Sequence, residues 1–383
     1  MTPTTEVLER RRNASILLAY PLGLYALSRL VQLCLVWWMA DDGKVRDRLL
    51  AWDGGHFVRV AEEGYPTGYT YNADGVLVGN GLAFFPGYPM LVRLTHFVTR
   101  LDYPTAAITV SWIAGGAAAV LLCALGTRLY DQRAGLALTA LFCMQPMSMA
   151  LSMAYSEALF TALVAGMLLF AHRGDWLLAG ALGLGAALTR PTGAAAAIAL
   201  AVAAGITVYR GRGTLGTAAW KPIAAALVAL AGVPAYLLWV GMRVGDLHAW
   251  FDIQTAGWGT TFDYGTSSLK FVRDSLRAGD GWVQVSIAWM VIGVVILAAA
   301  AVAMRVWPPL TVYGLLVLVL VLGQGGYYHS KPRLLVPALL ILVPPAVALA
   351  RARPRTAALV LAGFGAFGLW YGSYLITAWH YAI

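Results

Sequence analysis

The chain has 383 residues, 60% of them hydrophobic and 12% charged, with a formal net charge of +9. Ordinary soluble domains carry about a quarter charged residues, so this composition excludes a soluble globular enzyme and indicates an integral membrane protein. The positive balance on its own admits a nucleic-acid partner, but the placement of the charges does not.

Arg10, Arg11 and Arg12 precede the first apolar run, 15–40. That run is too long for the core of a cleaved leader, contains Arg29, and has no small-x-small site near Trp37–Trp38. It reads as an uncleaved first span. An arginine inside a span is expected to pair or to function, and the sequence names no partner for it. Further runs follow at 105–126, 134–151, 155–171, 176–189, 192–209, 221–243, 282–304, 308–326, 334–350 and 356–379, which predicts about eleven crossings. The 176–189 run is short, and Arg190–Pro191 separates it from the next. Cys34, Cys123 and Cys143 all lie in apolar runs without metal-ligand spacing, as buried inert thiols do.

If eleven helices alternate, one set of short connections carries Arg128 and Arg133; Arg173; Arg210, Arg212 and Lys221; Arg305; and Arg351, Arg353 and Arg355. Lysine and arginine mark cytoplasmic loops. The N-terminus is therefore expected inside and the C-terminus outside, in the plasma membrane. The positive charge is mostly topology, with no nucleic-acid partner.

The other face is expected to carry two long connections, 41–104 and 244–281, on a single membrane domain spanning 1–383. The first contains "LLAWDGGHFVRVAEEGYP", which places Asp53 and His56 three positions apart, on one face if the segment is helical. Two such ligands without a third do not make a metal site. Further on, Gly81 to Val98 reads as a loop followed by an interfacial helix. The second connection mixes Trp, Asp and Gln, and contributes Gln254 and Trp258 as candidate substrate contacts. Asp53 itself reads either as a helix cap or as a general base, which needs only a hydroxyl within hydrogen-bond reach.

Several cations break the topological pattern by falling on this outer face. "LTRPTG" places Arg190 there, and "GQGGYYHSKPRLLVPALL" places His329, Lys331 and Arg333 there. Snorkelling anchors are one reading; an anion site is the other, since arginine and lysine both bind phosphate. "MAYSEALF" adds Glu157, either capped by Ser156 at a helix start or orienting Arg190 or a sugar hydroxyl. An acid and several cations facing outward from a membrane body suit group transfer from a lipid-linked phosphate donor. Cations stabilise the departing phosphate, and one carboxylate deprotonates the acceptor in a single inverting displacement. No cofactor is expected; a divalent metal stays open as an alternative that no residue pattern supports.

The run "WDGGHFVRVAEEGY" resembles the first-loop signature of the PIG-V family of GPI mannosyltransferases, and "FFPGYP", "YSEALF", "TRPTG" and "KPRLLVPALL" follow in that family's order. The resemblance spans roughly residues 50 to 345. It implies an all-α GT-C glycosyltransferase fold, transfer of mannose from a polyprenyl-phosphate donor, and Asp53 as the base. His56, Glu157, Arg190, Gln254, Trp258, His329, Lys331 and Arg333 are then expected around the substrates. Where the family often has Arg-Ser-Asn-Gly, this chain has Arg190-Pro191-Thr192-Gly193, which removes an asparagine. The Ala- and Gly-rich, arginine-over-lysine composition points to a GC-rich bacterial source, so a lipoglycan, glycolipid or protein replaces a GPI anchor as the expected acceptor. Two other classes compete. A secondary transporter or lipid flippase would use Arg29 and the Arg190–Pro191 break, and an assembly subunit would hold a partner enzyme by its loops.

Overall fold

The computed structural model describes residues 3–40, 44–211, 216–379 and 381, with side chains from 18 onward. The side chains of Arg10, Arg11 and Arg12, and Arg212, which enter the topological reading, lie outside the described residues. Chain order begins with α1 (Pro3–Met39), α2 (Val45–Leu49), α3 (Asp53–Glu63), a two-stranded antiparallel ribbon of β1 (Thr70–Tyr71) and β2 (Leu77–Val78), and α4 (Gly87–Thr99). There follow α5 (Tyr103–Leu129), α6 (Gln132–Met144), α7 (Glu157–Arg173), α8 (Trp176–Ala187), α9 (Gly193–Arg210) and α10 (Trp220–Val244). Then come α11 (Ala249–Trp258), α12 (Thr266–Ala278), α13 (Trp282–Ala303), α14 (Pro308–Leu322), α15 (Lys331–Leu334), α16 (Val343–Arg351) and α17 (Pro354–Thr377).

All eleven apolar runs fall mainly on helix. Among the described residues six helices are long and apolar enough to cross a membrane: Leu18–Met39, Tyr103–Leu129, Gly193–Arg210, Gly216–Val244, Trp282–Ala303 and Pro354–Thr377. A seventh span forms if Tyr328–Leu334 and Leu339–Arg351, bent by 72° at their break, count as one. The other runs are shorter helices: α6, α7, α8 and α14 have 13, 17, 12 and 15 residues. α8 packs against α9, the two separated by the break at Arg190–Pro191.

Local chemistry sets the ends. Proline stands in the first turn of α5, α14 and α17, where its missing N–H costs nothing. Gly174 and Gly245 follow α7 and α10 in the left-handed conformation that closes a helix. Between helices, small residues permit close approach, the usual solution where lipid gives no hydrophobic driving force. A Cβ at Gly180 of α8 would sit 2.8 Å from Ala225 Cα of α10. The lipid-facing surfaces are apolar: Leu227 on α10, Ile296 on α13 and Leu359 on α17 are all exposed.

Arg29 is fully buried, and its partners are now visible. Nη1 donates to Gln32 Oε1 at 2.6 Å, Ser148 O at 2.5 Å and Ser152 Oγ at 3.0 Å; Nη2 donates to Cys143 O at 2.6 Å. Cys143 O belongs to the last turn of α6, whose carbonyls have no partner within the helix. The guanidinium thus ties α1 to the crossover between α6 and α7, the segment that delivers Tyr155, Ser156 and Glu157. Its partners are neutral, so it works as a multiple donor.

Arg29→Ala leaves several buried carbonyls unpaired, at about 1–3 kcal/mol each. A large drop in the melting temperature of the detergent-solubilised protein is expected. Arg29→Lys should recover only part of it, because one ammonium cannot span the same acceptors. An unchanged transition in Arg29→Ala would remove this role.

Candidate active site

The structure brings the first long connection, the start of α7, the α8–α9 break and α15 together at one end of the helices. Asp53 is the first residue of α3. Trp52 before it has φ 54 and ψ −117, a conformation that costs a bulky residue about 1–3 kcal/mol. The surroundings hold it there. Tyr155 Oη donates to Ala51 O at 3.2 Å, and Ala154 N donates to Leu49 O at 2.9 Å. Asp53 therefore begins its helix without capping it.

From Asp53 a chain of charges runs inward. Its Oδ2 lies 2.7 Å from Arg333 Nη1. Arg333 Nε is 3.5 Å from Glu157 Oε1, and Arg190 Nη1 is 2.9 Å from that same oxygen. Arg190 also donates to Ser156 Oγ at 2.9 Å, so Ser156 holds the arginine and makes no side-chain cap on α7. The Arg333 guanidinium lies over the Tyr155 ring, 4.8 Å from its centroid. These groups are withdrawn from water: Glu157 is 1% exposed and Arg333 7%. The pairing is incomplete. Nε and Nη1 of Arg333, Nε of Arg190 and Oε2 of Glu157 are buried without a hydrogen-bond partner, so the close Asp53–Arg333 pair is off the N–H axis. Buried polar groups left in that state are costly.

Lys331 is also buried, and its Nζ donates to Val321 O at 3.1 Å and Gln324 O at 2.5 Å. It thereby satisfies carbonyls at the end of α14 while its side chain lines the cavity. Asp53, Glu157, Arg190, Lys331 and Arg333 all border this one space, a cavity of about 170 Å³ that is partly open to solvent. Three cations face two carboxylates.

The second long connection closes the far wall. Gln254 Nε2 and Trp250 Nε1 both donate to Ala83 O, at 3.0 and 3.3 Å. A Cβ at Gly79 would meet Gly257 Cα at 2.6 Å, so the two connections touch backbone to backbone. Trp258 lines the cavity with its edge toward Phe84, ring centroids 5.3 Å apart.

Two expected contacts stand behind the wall. His56 shares α3 with Asp53 but stacks on Phe84 at 5.2 Å and meets Trp258 edge-on at 5.7 Å. Burial lowers its pKa below the ordinary imidazole value, against the opposing pull of Asp53. His329 is buried among Tyr327, Tyr328 and Tyr381 and does not border the cavity. Alternate positions share a face in an extended strand; here 328–334 is helical, which separates His329 from Lys331 and Arg333. The sequence reading passed over Tyr155, Trp250 and the Ala83 carbonyl, and took Ser156 as a helix cap where it accepts from Arg190 instead. An aromatic directly before Ser156 and Glu157 in "YSE" was the available signal for Tyr155. Among the described residues no three His, Cys, Asp or Glu side chains gather as metal ligands would.

Fold and site together define a multi-pass helical membrane protein with a charged cavity where its helices meet long connections. Residues 38–179 match the family model described as mannosyltransferase (PIG-V). The fold is similar to ArnT from Cupriavidus metallidurans in the apo state, at a TM-score of 0.55 and 16% identity, over 89% of this chain and 62% of that one. It is likewise similar to the same protein bound to undecaprenyl phosphate, at 0.53 and 16% identity over the same shares. The chain thus spans under two thirds of the length of these structures. No curated protein sequence matches it.

Charge removal at Glu157 leaves Arg190 and Arg333 facing each other in a low-dielectric site. Glu157→Gln is expected to destabilise the protein by about 3–5 kcal/mol, and Arg190→Gln by less, because Arg333 still pairs with the carboxylate. In a double-mutant cycle followed by thermal denaturation, the double variant should be more stable than additivity predicts. Additive effects would mean that the pair carries no energy.

Proposed function

We propose that the chain is a membrane glycosyltransferase that moves mannose from a polyprenyl-phosphate donor to a hydroxyl of a lipoglycan, glycolipid or protein, by one inverting displacement. The observation that carries this reading is the Asp53–Arg333–Glu157–Arg190 chain, buried at Arg333 and Glu157 and bordering an open cavity, in a fold shared with a protein solved with undecaprenyl phosphate. The family match over residues 38–179 supports the sugar.

In this mechanism Asp53 accepts the proton of the acceptor hydroxyl. The acceptor oxygen bonds to the anomeric carbon as the bond from that carbon to the phosphate oxygen breaks, and the electron pair leaves with the phosphate. Arg333, with Arg190 and Lys331 around it, stabilises the charge that develops there, as preorganised cations do in a water-poor site. Arg333 links the two halves of the reaction. Its guanidinium lies against Asp53; a donor phosphate competes for the same N–H groups and frees the carboxylate to act as a base. Glu157 keeps both arginines in place. Gln254 and Trp258, on the opposite wall, suit sugar hydroxyls and a sugar face. The placement of cations favours an outer-face site with the N-terminus inside.

Asp53→Asn should insert and fold as the parent does but lose about 10²–10⁴-fold in turnover, the usual span for a general base. Transfer from a labelled polyprenyl-phosphomannose donor by the purified chain checks this, and full activity would exclude Asp53 as base. Arg333→Gln should raise the donor KM as well as lower kcat, since it touches the phosphate in both states. Movement of the lipid across reconstituted vesicles without sugar transfer would instead identify a transporter or flippase.

A further inference from the structure

A second cavity lies at the opposite end of three helices that reach the first. Glu157 opens α7 at the Asp53 end, and His172 stands in the last turn of that helix. Arg190 precedes α9, which ends at Arg210, while α14 begins at Pro308 and finishes at Leu322, next to Val321 of the first cavity. At about 1.5 Å per residue the 17 residues of α7 separate the two ends by roughly 25 Å. The second cavity, of about 190 Å³, is bordered by His172, Trp176, Thr207, Arg210, Trp307 and apolar side chains.

His172 Nδ1 is buried without a hydrogen-bond partner among the described residues, and its ring meets Trp307 edge-on at 5.0 Å. Thr207 offers a hydroxyl one turn before Arg210, so both reach the same space from α9. Arg210 is exposed, with no carboxylate pairing it among the described residues. A ring nitrogen, a hydroxyl and a guanidinium converge, flanked by two tryptophans. This is the chemistry that recognises a phosphate ester at a membrane surface, where indoles sit at headgroup level and basic pockets between helices take anionic headgroups. The same end carries Arg128 and Arg173 at the ends of α5 and α7, which raises the local concentration of anionic lipid.

We propose that the cavity formed by His172, Thr207, Arg210 and Trp307 binds the phosphate headgroup of an anionic phospholipid, in the leaflet opposite the Asp53 site. The site does not depend on the reaction proposed above. It gives the helices that carry Glu157 and Arg190 a fixed lipid contact at their other ends.

The test uses the full chain purified in detergent and titrated with phosphatidylglycerol or phosphatidylcholine, with retained lipid read by native mass spectrometry and the melting temperature read in parallel. Phosphatidylglycerol should be retained preferentially and should stabilise. Arg210→Gln and His172→Gln should each weaken that retention about tenfold, the effect of one charge-assisted or buried hydrogen bond, while Arg173→Gln, outside the cavity, should weaken it clearly less. Arg210 is exposed, so its variant reports on binding even if the His172 variant unfolds. Equal retention of both lipids, an equal loss in Arg173→Gln, or no loss in Arg210→Gln would overturn the proposal. Saturation by inorganic phosphate alone, with no preference between the lipids, would likewise overturn it in favour of a soluble phosphate site.

Discussion

One carboxylate oxygen holds the active end together. Glu157 Oε1 sits between Arg190 and Arg333, and through Arg333 it is linked to Asp53. Four chain segments meet on it: the first long connection, the start of α7, the break before α9, and α15. In water such a cluster contributes little, because solvent screens each charge. Here Glu157 and Arg333 are buried and Arg190 and Asp53 half-buried, so the attraction is strong and the penalty is greatest for removing Glu157 or Arg333. The cluster is balanced among Asp53, Glu157, Arg190 and Arg333, and Lys331 adds a further positive charge beside it. That arrangement favours an anion without requiring one for the cluster to hold.

The rest of the molecule fixes where those four segments can be. Arg29 donates to the end of α6 and to the turn after it, and so sets the path by which the chain enters α7. Tyr155 on that path supports both sides of the site at once. Its hydroxyl holds Ala51, just before the strained Trp52, and its ring lies beneath Arg333. A left-handed tryptophan is an expensive way to turn a chain, and it survives because packing on both sides specifies it. Its effect is to place Asp53 at the first position of α3, facing the cavity, while His56 one turn later faces Phe84. The rigid bundle therefore carries the strain that points the carboxylate.

Much of this was legible in the residues, and the parts that were not have physical reasons. Hydropathy located every apolar run, because a span must satisfy its backbone internally and so must be helical. The number of crossings was not legible, since α6, α7, α8 and α14 are too short to count by length and the Tyr328–Arg351 segment is bent. Charges on the wrong side of the topological pattern picked out Arg190, Lys331 and Arg333, which the structure gathers in one cavity. They could not show that Lys331 also closes α14, or that His329 turns into an aromatic stack, because both depend on how a short segment coils. Arg29 was conspicuous, but apart from Gln32 three residues on its partners are backbone carbonyls and small hydroxyls, and these have no sequence signature.

The separation of functions along α7 follows from the same physics. A helix in lipid cannot present charge at its middle without large cost, so polar chemistry collects where it meets water or headgroups. In α7 the acid stands in the first turn, where the helix dipole favours a negative group, and His172 and Arg173 stand in the last turn, where it favours a positive one. The acid is used to hold arginines toward the Asp53 cavity, and the basic end faces the second cavity. An apolar helix between them, buried along most of its length, transmits position from one end to the other because packed interiors resist compression. A lipid phosphate held at one end would thus steady the carboxylate that organises the other.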